Sequence, residues 1–190
     1  MAEKEFADEI RGWEEFYRSR FGFSLDLSHL INNDEYDLDS YFTIVIPKGL
    51  TMNNVLCAMR QEYRVLTCFK DLDGKIPTNE RTAEAADYVI FIKRSPEPDE
   101  ELADFSADSL REIKGFYSIT VLERMVAGFK YFCDNGSHFD ITDITLCTGS
   151  RDFEGDIISI HCDASNTEII DYYLPDDSGK EMRSREVFFL

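Results

Sequence analysis

Apolar residues recur at helical spacing through 5–21, where Phe6, Ile10, Trp13, Phe16, Tyr17 and Phe21 share one stripe and Glu9, Glu14, Glu15 and Arg18 lie opposite. This predicts an amphipathic helix that ends at Gly22. Residues 26–40 are acidic and turn-rich, and read as a loop. The pattern then changes. Tyr41–Ile46 is a continuous β-rich run closed by Pro47-Lys48-Gly49, which predicts a strand buried on both faces. Thr51 is placed to cap a helix carrying Met52, Val55, Leu56, Met59 and Tyr63. Val65–Phe69 and Tyr88–Ile92 read as two further strands of the same sheet, separated by turn residues in 70–86.

Two prolines and several acids make 95–104 an expected exposed connector, followed by a short helix within 106–113. Thr120 and Glu123 form a capping box ahead of a helix with Leu122, Met125, Val126, Phe129 and Phe132, which stops at Asn135-Gly136. Thereafter the period falls to two. Strands are predicted at Ile144–Cys147, Ile157–Ile160, Glu168–Tyr173 and Glu186–Leu190, and the simplest arrangement is a β-meander. The fold class that follows is α+β: one domain with a central mixed sheet, packed helices and a C-terminal β-meander. Its parts are an N-terminal helix (1–22), a βαββ block (41–94) and a helix plus meander (119–190). The predicted core comprises Trp13, Phe16, Phe42, Ile44, Leu56, Val89, Phe91, Leu122, Val126, Phe129, Leu146 and Ile158.

Charge changes the picture most. The formal net charge is −18 over 190 residues. Residues 1–40 carry 11 acids against 4 bases and 133–181 carry 12 against 2, whereas 41–94 carry 6 against 8. A field of this sign repels nucleic acid and anionic membrane and favours basic partners. Fifteen Phe and nine Tyr argue for a packed core despite that charge. The run Phe42–Ile46 is far too short to cross a bilayer, and the charged residues after Met1 do not resemble a signal peptide. Five cysteines without regular spacing read as reduced thiols, so a cytoplasmic location is expected.

The candidate chemistry is sparse. Leu146-Cys147-Thr148-Gly149-Ser150-Arg151 runs from a strand into a Gly-Ser turn followed by arginine. Such a turn can offer backbone N–H groups and a guanidinium fork to an anion, and Cys147 can act as a nucleophile if His138 or His161 lies beside it. The plainer reading is a buried cysteine ahead of a hairpin turn, and the neighbouring acids oppose a low thiol pKa. Cys133, His138, Cys147, His161 and Cys162 are zinc-ligand types in irregular spacing, so no metal and no cofactor is expected. Asp71-Leu72-Asp73-Gly74 matches only a fragment of a calcium loop. There is no Walker loop, GxGxxG or GxSxG.

Several segments carry a resemblance: Ile119–Arg124, Lys130–Phe132, His138–Ile141, Thr145–Arg151 and Arg183–Val187, with Pro47–Thr51, Asp71–Asp73, Pro77–Asn79 and Asp99–Leu102. Over residues 13–187 the chain resembles a group of small uncharacterised proteins encoded by uncultured bacteria of the candidate phyla. The resemblance implies no activity and assigns no functional residue. Asp152–Gly155 and His161-Cys162 depart from the group's pattern.

Two functional expectations result. The first is a non-catalytic acidic interaction protein that meets a basic protein surface, with nucleic-acid mimicry as one form. It does not bind nucleic acid or membrane itself, and oligomeric state is left open. Its surface would include Asp34, Glu35, Asp37, Asp39, Glu97, Asp99, Glu100 and Glu101. The alternative is a small-molecule or anion-binding protein, or an enzyme, centred on the Cys147–Arg151 turn with His138, Cys147, Ser150 and Arg151 as its polar groups.

Overall fold

The expected stripe builds the first helix, α1 (Ala2–Phe21), of a computed structural model that describes residues 2–30 and 39–189. Phe6, Ile10, Trp13, Phe16 and Tyr17 are buried on one side of α1. The two polar tips among them find backbone acceptors on the first strand, β1 (Tyr41–Ile46). Trp13 Nε1 donates to Thr43 O at 3.1 Å and Tyr17 Oη donates to Val45 O at 2.6 Å, so α1 is seated on β1 by hydrogen bonds as well as by apolar area.

The chain continues through α2 (Met52–Glu62), β2 (Val65–Thr67), the single turn α3 (Leu72–Lys75), β3 (Thr78–Asn79), β4 (Tyr88–Lys93) and α4 (Ala107–Arg111). It then forms α5 (Val121–Asn135), β5 (Ile144–Cys147), β6 (Ser150–Arg151), β7 (Ile157–Cys162), β8 (Glu168–Tyr173), β9 (Met182–Arg183) and β10 (Phe188–Phe189). The fold is α+β. A mixed five-stranded sheet has the order β2-β8-β7-β5-β9, an antiparallel sheet has the order β1-β4-β10, and β3 pairs with β6.

Three expectations are corrected here. Strand β2 does not share a sheet with β1 and β4. It pairs in parallel with β8, Val65 opposite Glu168, because β8 offers its edge after the meander has formed. The meander itself comprises β5, β7 and β8, whereas β10 leaves it to pair with β4, Phe188 opposite Phe91. Phe42 is only partly buried, because it sits near the start of the edge strand β1. Its ring is covered instead by Tyr131, Phe139 and the Arg94 guanidinium. The other named core residues are buried.

Loops also differ. Within 70–86, Asp71 caps α3 by accepting Gly74 N–H, while Asp73 accepts the N–H groups of Met52 and Asn53 at 2.8 and 3.1 Å and so caps α2. The Asp-Leu-Asp-Gly pattern is thereby spent on two helix starts. The connector 95–104 is not exposed throughout: Pro98, Asp99 and Leu102 are buried around a 3₁₀ turn at Glu100–Leu102.

Helix α5 is central. It packs on α2, on β1 of the small sheet and on β7 of the large one, and every residue from Val121 to Phe129 is buried. Over Val121–Phe129 the helix has no solvent face, so its polar residues there must find partners inside.

Candidate functional site

The Cys147–Arg151 turn spends its donors inward. Thr148 N–H donates to Leu146 O and Gly149 N–H to Ile119 O at 3.1 Å. A Cβ on Gly149 would lie 2.7 Å from Ser118 O, so the close approach to the Ser118–Ile119 backbone requires glycine. Ser150 is fully buried, accepting Val121 N–H at 3.0 Å and donating to Asn79 Oδ1 at 2.6 Å. It anchors the start of α5. Arg151 folds back, its Nη1 donating to Thr148 O and Ser150 O at 2.6 and 2.9 Å. Burial, and then the charge of Arg111, lower its pKa.

Cys147 is fully buried. Burial pushes its thiol well up, and Asp140 and Glu123 add to this against Arg124. His138 is buried elsewhere, at the end of α5. It packs edge-on to Tyr63 at 4.6 Å and against Phe132 at 4.7 Å, with Nδ1 3.8 Å from Glu168 Oε2. The structure thus brings Ser150 and Arg151 to one turn whose groups face inward, and gives Cys147 and His138 separate surroundings. Native alkylation at neutral pH is expected to label exposed Cys57 first and Cys147 only on unfolding. Stoichiometric native labelling of Cys147 ahead of the rest, read by peptide mass spectrometry, would revive a thiol site. Among the described residues, no group of three or more His, Cys, Asp or Glu is placed to hold a metal ion.

Of the expected acidic surface, Asp34, Glu35 and Asp37 lie outside the described residues. Asp39, Glu100 and Glu101 are exposed, and Glu101 pairs with Lys93. Glu97 instead accepts the N–H groups of Ile141, Thr142 and Asp143, holding the turn ahead of β5. Asp99 is 3% exposed and accepts Glu186 N–H at 2.8 Å. These two carboxylates organise loops.

Two features escape local sequence reading. The first is a buried ion network. Asp140 receives Arg124 Nε at 2.7 Å, Arg185 Nη2 at 2.5 Å and Thr145 Oγ1 at 2.5 Å. Arg124 Nη1 also donates to Glu168 Oε1 at 3.3 Å, and Arg185 donates to Ser95 O and Pro96 O. Both guanidinium groups lie over Phe139, at 5.4 and 4.6 Å from its centroid. Gly128 makes the room, since a Cβ there would collide with the Arg124 guanidinium.

The second is a cleft of about 790 Å³ beside β4 and β10. Its aromatic lining is Tyr88, Phe116, Tyr117 and Phe189, and its acids are Glu80 and Asp87. Arg81 also lines it. The Arg81 Nε and Nη2 donate to the two oxygens of buried Glu123 at 2.7 and 2.9 Å, and Nη2 also reaches Ser118 O. Tyr88 Oη donates to the same carboxylate at 3.1 Å. Glu123 therefore serves twice: as the capping-box residue of α5, accepting Thr120 N–H, and as the counter-ion beneath the cleft. The capping box is legible in sequence. The second role is not, because Arg81 is 42 residues away.

No family model matches the chain, and no curated protein or solved structure matches it.

Proposed function

We propose that this protein is a non-catalytic acidic binding module whose partner is a basic protein surface, its carboxylates standing where a nucleic acid would present phosphates. The observation that carries the reading is the excess of acid that remains once the buried ions and their partners are counted. Asp140 and Glu168 face Arg124 and Arg185, Glu123 faces Arg81, and Asp99 lies 4.0 Å from Lys93. Among the described residues the buried acids Asp99, Glu123, Asp140, Asp156 and Glu168 outnumber the buried arginines Arg124 and Arg185 by three, so −15 of the net −18 lies on other residues. A surface field of that size speeds encounter with cations and is screened within about 8–10 Å at physiological salt. The alternative centred on Cys147–Arg151 is weakened by a turn whose backbone N–H groups, Ser150 hydroxyl and Arg151 Nη1 are engaged inside the protein, which leaves the buried Arg151 Nη2 without a partner there. Among the described residues no helix is long and apolar enough to cross a membrane.

Capture of partners from lysate at low and high salt tests the reading. Partners should be basic and should be released as salt rises. With a recovered partner, Glu100→Lys together with Glu101→Lys should slow association about tenfold and leave dissociation nearly unchanged, because peripheral charges act through steering. Glu97 and Asp99 are unsuitable for reversal, since both hold loops. An association rate that ignores both salt and reversal would leave the acidity a solubility feature. Tight direct binding to DNA or RNA in a gel shift would exclude the reading altogether.

A further inference from the structure

Resting on the acidic-module reading, we infer that the aromatic cleft is the anchor point of the interface, and that it takes a lysine or arginine side chain of the basic partner. The cleft pairs exposed aromatic surface with unbalanced carboxylate charge. Tyr117 and Phe189 are 47% and 41% exposed, and their rings meet edge to face at 4.7 Å. They form one wall, and Tyr88 and Phe116 contribute further aromatic surface. Exposed large rings with a fixed mutual geometry are costly to leave in water and are typical of binding anchors.

Charge then selects the occupant. The ionisable groups of the cleft and its floor are Glu80, Asp87 and Glu123 against Arg81, with His29 at the rim 3.4 Å from Asp87 Oδ2. Three carboxylates face one guanidinium, so even with His29 protonated one negative charge is in excess. Arg81 does not offer its fork to an anion. Nε and Nη2 are committed to Glu123 and Ser118 O, and Nη1 reaches Glu80 Oε2 at 3.4 Å. Its pKa is raised: burial opposes the charge, and the hydrogen bonds and charge of Glu123 outweigh burial. Arg81 thus lines the cleft as a satisfied cation, its guanidinium 5.7 Å from the centroid of the Phe189 ring. An acidic side chain entering the cleft would meet Glu80 and Asp87. A neutral ring would bury apolar area without using either acid. A guanidinium or ammonium group gains from both, through the Tyr117 ring and the carboxylates, while Phe189, which already carries Arg81, holds that ring edge to face. The occupant is therefore the basic side chain, and the −18 field brings it there.

The test pairs one charge-neutral substitution with two double substitutions of equal charge change. Titrate the full chain calorimetrically with a synthetic dodecapeptide of alternating arginine and serine, a phenylalanine-serine peptide and a glutamate-serine peptide. The arginine peptide should bind, and Tyr117→Ala combined with Phe189→Ala should weaken it at least about tenfold, the value of one to two cation–π contacts. Both side chains are about half exposed and Phe189 also packs on Arg81, so circular dichroism and thermal unfolding check that the variant is folded at the temperature of the titration. Glu80→Gln with Asp87→Asn should weaken binding similarly, and Glu100→Gln with Glu101→Gln, equal in charge change but outside the cleft, should do so less. Unchanged affinity in the Tyr117/Phe189 variant, with binding still salt-dependent, would overturn the cleft and leave the acidic-module reading standing. Equal or tighter binding of the phenylalanine or glutamate peptide would also overturn it. Failure of the parent protein to bind the arginine peptide at low salt would overturn both.

Discussion

Asp140→Ala is expected to be the most damaging single substitution in the protein. It removes the carboxylate that receives Arg124, Arg185 and Thr145, while both arginines stay at most 1% exposed. Removing one partner of a buried ion pair costs about 3–5 kcal/mol, because the surviving charge is left without solvent or counter-ion. Here two cations lose a shared partner. A domain of this size has about 5–15 kcal/mol of total stability, so the variant should be largely unfolded or recovered with a much lower urea midpoint. Asp140→Asn should fall between, because it keeps the volume and one acceptor oxygen but loses the charge and turns the other oxygen into a donor. A loss under about 1 kcal/mol for the alanine variant would mean that the network does not hold the sheets and α5 together.

The same group carries a pH signature. Burial raises the Asp140 carboxyl, and Arg124, Arg185 and the hydrogen bonds from Thr145 and Arg185 more than offset this, so its pKa lies below the ordinary value. A depressed folded pKa contributes stability that is present above the unfolded carboxylate value, about 3.9, and is lost as pH falls through the folded one. Urea midpoints measured from pH 7 down to pH 2 should therefore fall on the acid side, and Asp140→Asn should fall less steeply there.

Phe129→Ala should cost about 3–5 kcal/mol, the usual cost of truncating a buried phenylalanine. Phe129 is fully buried at the point where α5, α1 and the end of α2 converge. Its ring lies 5.3 Å from Phe16, 6.1 Å from Phe21 and 6.1 Å from Tyr63, each near edge-to-face. Three separate segments enclose that ring, so no single side chain can collapse into the void. A measured loss below about 1 kcal/mol would show that the aromatic cluster repacks freely.

What could be read locally was read correctly where one period or one cap decides the outcome. The Phe6–Tyr17 stripe, the Thr51 cap with its helix, the Thr120–Glu123 capping box, and the strands expected at 41–46, 88–92 and 157–160 all follow from residues close in sequence, and the structure extends the last two strands to Lys93 and Cys162. Pairing between distant strands does not. Nothing in Val65–Thr67 distinguishes an antiparallel partner near Tyr88 from a parallel partner at Glu168–Ile170, because both would bury the same side chains. The sign and excess of charge were likewise legible, since they are sums over composition.

The sites belong to tertiary structure. Arg124, Asp140, Glu168 and Arg185 look like ordinary surface residues of an acidic chain, and become an interior network only when two sheets close on α5. Enclosure removes water, and each charge must then find its counter-ion from another segment. The aromatic cleft has the same origin. Residues 29–30, 80–89, 116–117 and 189 meet because β10 crosses to pair with β4 beside the Arg81 segment. Sequence alone determined α1, α2, α5, the longer strands and the charge, since each is a local or additive property. Which charges are buried, and where the exposed rings gather, depends on contacts between residues tens to more than a hundred positions apart, and only the folded chain brings these together.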